Sequence, residues 1–297
     1  MTGILLVDKP EGTTSAGVIR TLKPRLGRTK VGHLGTLDPF ASGLLPLCIG
    51  EATKLARWLL LEHKAYTGTI RLGVETDTLD RTGRVTRTAP VPGLDDAALA
   101  AVAACFTGPL RQVPPMYSAL KRGGVPLYAL ARCGIDVARE PREVAVARLV
   151  LVRRDSERID FAVECSKGTY VRVLAADIGR ALESAAHLET LRRTRVGAFR
   201  VEDAHTPDAI LALPGTAPLP LVGVRAALAE LRAFPLAAEA VLRLRLGQQA
   251  ALVGLPAPAC AGEAALGCDS AGAVVALLEA TQQGAWRLAR LLAAEDG

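Results

Sequence analysis

Short apolar runs and helix-like spacings of apolar residues interleave along the N-terminal two thirds of the chain. The runs predict strands over residues 4–7, 44–49, 66–72, 144–152 and 159–165. Apolar positions three or four residues apart predict a helix that begins at Thr14 or Ser15, and further helices over residues 51–61, 95–106 and 171–182. Because these elements follow no strict βαβ order, the pattern favours an α+β fold with a mixed, mainly antiparallel central sheet and flanking helices.

The pattern changes after residue 205, where prolines interrupt a loosely patterned stretch. Further on, leucine alternates with arginine in a way that predicts a strand with one basic face, over Leu242, Arg243, Leu244, Arg245 and Leu246. Glycines separate the short apolar runs that follow, which is typical of a small β unit. We therefore predict two domains, over residues 1–231 and 232–297.

Composition narrows the class of protein. Half of the 297 residues are hydrophobic, which is enough for a sizeable core and too much for a disordered chain. The 36 lysines and arginines exceed the 30 acidic residues and give a net charge of +6, a weak indication of a polyanionic partner. The sequence shows no secretory signal, no run of about 18 apolar residues and no CxxC pair. It therefore predicts a cytoplasmic protein with reduced thiols that does not enter a membrane.

Residues 31–39 have little helical or strand character and are predicted as a loop. Asp38 lies in this loop, within the glycine-rich segment GTLDPFASGLL, between two regular elements. An aspartate followed by proline is a normal helix start, with Asp38 as the N-cap and Pro39 at the first helical position. Loops between regular elements also display catalytic groups. Local chemistry favours the capping interpretation and leaves the catalytic one open.

Arg172 is harder to explain as a purely structural residue. It falls in the first turn of a predicted helix, where the helix dipole disfavours a cation, and Ala175 and Ala176 offer it no carboxylate. Its side chain is expected either to pair with a distant carboxylate or phosphate, or to extend along the protein surface.

Three aromatic side chains admit both a structural and a nucleic-acid-binding interpretation. Tyr66 lies on a predicted strand between Lys64 and Arg71, so it is either an ordinary strand residue or a platform on which a base stacks. Tyr170 and His33 leave the same two possibilities open.

The sequence lacks the motifs of several common kinds of functional site. Residues 77–83 read DTLDRTG, which lacks the residue order of a calcium loop and predicts a hairpin turn. The sequence also has no Walker loop, no strand-linked GxGxxG, no GxSxG and no metal-ligand spacing. We therefore expect neither a cofactor nor a metal.

Separate sequence blocks along the chain follow the order of one known family. They are DKPEG at residues 8–12, GHLGTLDPFASGLL at 32–45, KAY at 64–66, PPMYSALK at 114–121, CSKGTYVR at 165–172 and LRR at 191–193. Together these blocks resemble the TruB family of bacterial tRNA pseudouridine-55 synthases. The resemblance implies a pseudouridine synthase fold over residues 1–231, an RNA-contacting insertion around residues 115–140 and a small, β-barrel-like PUA domain over residues 232–297.

The resemblance also implies roles for individual residues. It makes Asp38 the catalytic carboxylate, places Tyr66 against the target uracil and pairs Arg172 with Asp38. The other implied substrate contacts are His33, Tyr170 and Leu191. Since a guanidinium typically lowers the pKa of a neighbouring aspartate by about 1–3 units, Arg172 is expected to keep Asp38 charged in a dry pocket.

The implied activity is the isomerisation of uridine-55 in the TψC loop of tRNA to pseudouridine. Such a reaction needs no cofactor, and we expect a cytoplasmic monomer that works on tRNA without a guide RNA. Phosphate contacts are predicted along Lys23, Arg25, Arg28, Lys30 and the Arg243/Arg245 strand. A guide-RNA-dependent synthase and a non-catalytic tRNA-binding module stay open as alternatives, as does the order of the bond-making steps at Asp38.

Overall fold

A ten-stranded and a four-stranded β-sheet, with two further two-stranded sheets, organise the chain in the computed structural model, which describes residues 1–59 and 63–293. The strands are β1 Gly3–Lys9, β2 Val31–His33, β3 Ser42–Ile49, β4 Lys64–Leu72, β5 Val74–Thr76, β6 Val85–Thr88, β7 Gly108–Gln112, β8 Lys121–Arg122, β9 Val125–Pro126, β10 Arg142–Arg153, β11 Arg158–Cys165, β12 Ala186–Val196, β13 Phe199–Arg200, β14 Leu221–Val222, β15 Arg232–Pro235, β16 Ala264–Cys268, β17 Val274–Ala280 and β18 Trp286–Leu291. The α-helices are α1 Ser15–Thr21, α2 Lys23–Leu26, α3 Ala56–Leu59, α4 Asp96–Cys105, α5 Leu127–Arg132, α6 Val171–Ala181, α7 Pro207–Ala212, α8 Val224–Ala227 and α9 Ala238–Arg245.

The larger sheet has the strand order β14-β1-β3-β12-β4-β11-β10-β7, with β2 added to β3 and β13 to β12. Strands β3 and β12 pair in parallel, and the other described pairs of this sheet are antiparallel. The predicted mixed, mainly antiparallel sheet is therefore confirmed. At the parallel contact Gly43 has a φ of 101°, and a Cβ there would lie 2.3 Å from the backbone oxygen of Arg193, so only glycine fits.

The predicted helices and strands mostly form where the apolar pattern placed them. Thr14 caps α1 by accepting a hydrogen bond from the Gly17 N–H, and Asp95 caps α4 by accepting one from the Ala98 N–H. Residues 51–61 were predicted as one helix, but a 3₁₀ helix over Gly50–Leu55 precedes α3, and residues 60 and 61 lie outside the described residues.

Two predictions about secondary structure are wrong. Residues 31–39 were predicted as a loop, yet residues 31–33 form strand β2 because β3 offers them a free edge for pairing. The predicted basic strand around Leu242–Leu246 is helix α9. Its buried residues are Val241 and Leu244, three positions apart, so the helical period decides which side chains face the core.

The second sheet, β15-β16-β17-β18, packs against the first rather than forming an isolated unit. Leu266 and Leu277 of the second sheet share one apolar cluster with Ile4, Leu44 and Cys48 of the first. This shared core backs β1 and β3, so it supports the loops that leave those two strands. Within the described residues, no helix has the length and apolar character needed to cross a membrane.

Candidate active site

A cavity of about 610 Å³ opens where the loop before β3, strands β4 and β12, the N-terminus of α6 and the segment after β7 meet. It is lined by Asp38, Tyr66, Tyr170, Arg172 and Leu191, five of the six residues that the sequence identified as catalytic or substrate-binding. The sixth, His33, lies on β2 and does not line the cavity.

Arg193 fixes the first half of the loop that carries Asp38. Its side chain, 1% exposed, comes from β12, and its Nε donates to the carbonyl of Leu44 at 2.7 Å. Nη2 and Nη1 donate to the carbonyls of Gly35 and Thr36 at 3.1 and 3.5 Å. One buried cation thus replaces the helical hydrogen bonds that this irregular backbone lacks.

The second half of the loop is fixed from the N-terminal segment. The Ser15 hydroxyl accepts from the Leu37 N–H at 2.9 Å and donates to its carbonyl at 3.2 Å. The Pro39 carbonyl accepts from the Gly12 N–H at 2.8 Å and from Lys9 Nζ at 3.4 Å. Burial lowers the pKa of Lys9 to about 8, while the charge of the nearby Asp38 opposes that change.

These contacts exclude the interpretation of Asp38 as a helix cap. No helix begins there: its carbonyl accepts a single turn hydrogen bond from the Ala41 N–H, and β3 follows at Ser42. The predicted capping role is therefore wrong. The rigid loop presents the side chain to the cavity instead, with 34% of its surface exposed.

Asp38 pairs with Arg172 through two contacts. Nε of Arg172 lies 2.8 Å from Oδ2 of Asp38, and Nη2 donates to Oδ1 at 3.2 Å. Arg172 is 4% exposed, and its Nη1 and Nη2 also donate to the carbonyls of Thr78 and Tyr117, at 2.7 and 2.8 Å. Arg172 therefore has the distant carboxylate that its position in α6 required, and it extends into the protein rather than along its surface.

Burial raises the pKa of Asp38 above its ordinary value, the charge of Arg172 opposes this rise, and the charge of Asp80 adds to it. The sequence-based expectation was that the guanidinium of Arg172 would oppose the effect of burial on this pKa and keep Asp38 charged. The guanidinium acts in the expected direction, but it does not outweigh burial.

Asp80 is a site residue that the sequence did not reveal. It is 4% exposed, and its Oδ2 lies 3.6 Å from Nη1 of Arg172. Its Oδ1 accepts hydrogen bonds from the Thr78 hydroxyl, the Thr82 N–H and the Thr82 hydroxyl. These bonds hold the turn between β5 and β6 that was predicted at residues 77–83. Local chemistry predicts that turn, but nothing in it indicates an arginine about ninety residues further along the chain.

Tyr66 and Leu191 form the buried apolar part of the cavity, on the neighbouring strands β4 and β12. Burial raises the pKa of Tyr66, although the charge of Arg193 opposes this, so its phenol is neutral at neutral pH. Tyr170 sits at the N-cap of α6, where burial also raises its pKa.

Gln112 is a second residue that sequence reasoning missed. Its buried carboxamide accepts from the Tyr170 N–H at 2.9 Å and donates to the Tyr170 carbonyl at 3.4 Å. The last residue of β7 thereby fixes the start of the helix that carries Arg172. The preference of glutamine for such backbone contacts leaves no pattern in the sequence.

His33 occupies a different environment. Its Nδ1 is buried and has no hydrogen-bond partner among the described residues. Burial lowers the pKa of His33, and the charge of Arg193 lowers it further. The imidazole is therefore neutral at neutral pH.

Two family models match this chain. That of the TruB family pseudouridylate synthase N-terminal domain matches residues 23–171, and that of the tRNA pseudouridylate synthase B C-terminal domain matches residues 172–215. The tRNA pseudouridine synthase B of Aromatoleum aromaticum is 53% identical over 212 residues, 71% of this chain and 68% of that protein. Its counterpart in Bordetella avium is 48% identical over 213 residues, 71% and 87% of the two chains. The one in Syntrophotalea carbinolica is 43% identical over 248 residues, 83% and 81%.

Solved structures share the fold of this chain. A chain in the crystal structure of a Cbf5–Nop10–Gar1 complex superposes with a TM-score of 0.74 and 25% identity, covering 99% of this chain and 86% of that one. A chain in an H/ACA RNP bound to a substrate RNA containing 2′-deoxyuridine gives a TM-score of 0.73 at 22% identity, again covering 99% and 86%. The second similarity, at this identity, concerns the fold alone.

Proposed function

This chain belongs to the TruB family of pseudouridylate synthases, which are isomerases, and has the pseudouridine synthase fold; from this premise we propose that it converts uridine-55 in the TψC loop of tRNA to pseudouridine with Asp38 as the catalytic carboxylate. The observation that carries the proposal is the Asp38–Arg172 pair, which faces one cavity together with Tyr66, Tyr170 and Leu191.

The stoichiometry of the reaction explains why it needs no cofactor. The C1′–N1 bond of uridine breaks, the uracil turns within the cavity, and a C1′–C5 bond forms. C5 loses a proton and N1 gains one, so the product has the same composition as the substrate. No electron or group is transferred to another molecule, and side chains that hold the base and carry charge suffice.

Asp38 acts in this proposal only while it is ionised. Attack on the sugar, addition to the pyrimidine ring and removal of a sugar proton all require a free carboxylate oxygen beside the nucleoside. The loop before β3, held by its hydrogen bonds, fixes the position of that oxygen, and Arg172 stabilises its negative charge against the effect of burial.

Tyr66 and Leu191 would hold the detached uracil against escape, because both are buried side chains at the interior of the cavity. Flipping a base out of an RNA stack costs a few kcal/mol, and stacking on an aromatic ring recovers about 1–3 kcal/mol per base. The neutral imidazole of His33, which lies outside the cavity, would fill the space that the flipped base leaves in the RNA.

Replacing Tyr66 with alanine is therefore expected to lower the single-turnover rate more than the affinity for tRNA. The base loses a wall that matters after the C1′–N1 bond breaks, whereas the phosphate contacts of the RNA persist. Single-turnover kinetics and filter binding of the same tRNA measure the two effects. An equal loss in binding with an intact single-turnover rate would refute this assignment.

Replacing Asp80 with asparagine is expected to lower kcat/KM by about tenfold, since a slightly misplaced catalytic group is costly. Because the charge of Asp80 raises the pKa of Asp38, its removal should also move the acid limb of the rate profile to lower pH. A merely structural role for Asp80 would lower the rate without moving the pH profile.

The proposed activity is tested by tritium release from a tRNA transcript labelled at C5 of uridine. The purified chain, without guide RNA or added cofactor, is expected to release one tritium per tRNA, and a transcript with cytidine at position 55 is expected to release none. Release that appears only after a guide RNA is added would instead indicate a guide-dependent enzyme. Binding of tRNA without any release would indicate a binding module.

The predicted PUA identity of residues 232–297, the domain division at residue 232 and the monomeric, cytoplasmic state extend the same proposal. Three of the predicted phosphate contacts are revised by side-chain geometry. Arg25 donates to the carbonyls of Pro214 and Ala217, Lys23 donates to the carbonyl of Gly27, and Arg243 pairs with Glu239. These three side chains already have partners within the protein, so Arg28, Lys30 and Arg245 are the stronger candidates.

A further inference from the structure

Two cations at the cavity have no partner in the part of the chain that the structure describes. Arg172 and Arg193, which also line the cavity, donate to carboxylates and backbone carbonyls. The side chains of Arg142 and Lys167 make no ion pair and no hydrogen bond with any described residue, and both are exposed. Two such cations beside a candidate substrate cavity are available to an anionic ligand.

The backbone that carries these two residues is fixed. Arg142 is the first residue of β10 and lies opposite Gln112 of β7. Lys167 lies in the turn after β11, where the Ser166 N–H donates to the Ala145 carbonyl and the Ser166 hydroxyl accepts from the Ala145 N–H. The two cations therefore come from adjacent, hydrogen-bonded segments, and the charge of Arg142 reaches the phenol of Tyr170.

Exposure separates the cavity into an interior and a rim. Tyr66, Leu191 and Arg172 are at most 8% exposed, whereas Arg142 and Lys167 face solvent. An uncharged base suits the interior, and the phosphodiester groups on either side of the flipped nucleoside suit the rim. Glu143 also lines the cavity, but it pairs with neither cation, so the positive charge of the rim exceeds its negative charge.

We propose that Arg142 and Lys167 bind the RNA phosphates that flank the flipped uridine. This inference rests on the proposed function, and it adds that the enzyme selects a uridine within a polynucleotide over a free nucleoside, because only the former carries both phosphates. Arginine and lysine act here as charges on the backbone of the RNA and carry no sequence information.

The test combines binding and turnover with a labelled T-arm RNA hairpin. Arg142→Gln and Lys167→Gln are each expected to weaken binding about tenfold at low salt, since each loses one charge-assisted contact. Each should also reduce the slope of log Kd against log salt concentration by about 1. Arg142→Lys and Lys167→Arg, which keep the charge, should restore most of the affinity.

Arg148→Gln is the matched control, because Arg148 is an exposed arginine of the same strand that does not line the cavity and has no ion pair within residues 1–59 and 63–293. An unchanged salt slope in the Arg142→Gln/Lys167→Gln double variant, or an equal loss in the control, would overturn the inference. Since binding is measured apart from turnover, an inactive wild-type enzyme would contradict the proposed function and still leave the two cations tested.

Discussion

Asp38→Asn is expected to lower the single-turnover rate of pseudouridine formation by at least about 10⁴-fold, in the range found when a nucleophile or its partner is removed. Asparagine keeps the shape of the side chain but has no charge and no nucleophilic oxygen. Its carbonyl can still accept from Arg172, so the loop should keep its position. Tritium release from C5-labelled tRNA measures the rate, and filter binding is expected to show nearly unchanged affinity.

Asp160→Asn is the matched control for this variant. Asp160 also forms an aspartate–arginine pair, 3.2 Å from Arg154, but the pair lies on the large sheet outside the cavity. It is expected to leave turnover unchanged. Appreciable single-turnover activity in Asp38→Asn would remove Asp38 from the chemistry and with it the mechanism proposed above.

Arg172→Lys is expected to lower the single-turnover rate by about 10²–10³-fold, the usual effect of losing a well-placed charge-stabilising donor. The guanidinium contacts both oxygens of Asp38 and the carbonyls of Thr78 and Tyr117 at once. A lysine ammonium is one compact charge on a flexible stem and cannot make all of these contacts. Lys substitution at Arg154, whose pair with Asp160 is exposed, should have no such effect.

The pH profile gives this variant series a second readout. Arg172 lowers the pKa of Asp38 against the opposing effect of burial. Arg172→Met should therefore raise that pKa further, and the acid limb of kcat/KM should move to higher pH, opposite to the shift expected for Asp80→Asn. Unimpaired turnover in Arg172→Lys, or an unchanged pH profile in Arg172→Met, would show that the guanidinium neither positions Asp38 nor stabilises its ionised form.

Local sequence chemistry predicted the elements that depend on local interactions. Thr14 and Asp95 cap helices because a short polar side chain reaches an N–H three residues away. Five strands of the large sheet, β1, β3, β4, β10 and β11, were predicted because their apolar runs are buried, whereas β12 and the shorter strands were not. Helix α9 was missed because alternation of leucine and arginine fits a strand over five residues, and only packing against the second sheet selects the helical period.

For the candidate site too, the sequence predicted some features and missed others. The sequence blocks identified Asp38, Tyr66, Tyr170, Arg172 and Leu191, and the cavity brings these five together. Local chemistry alone favoured a helix cap at Asp38, and that interpretation failed because Arg193, Ser15 and Lys9 hold the loop in a conformation that no nearby residue determines.

By itself, the sequence determined the family, the strands and helices with clear apolar periods, and the residue types at the candidate site. Only the tertiary structure decided which charges meet. Arg172 reaches Asp38 across 134 positions of the chain, Asp80 joins them from a turn, and Arg142 and Lys167 at the rim pair with no residue that the structure describes. Side chains interact through space over a few ångströms, so partners far apart in sequence are set by how the strands pair and the loops pack.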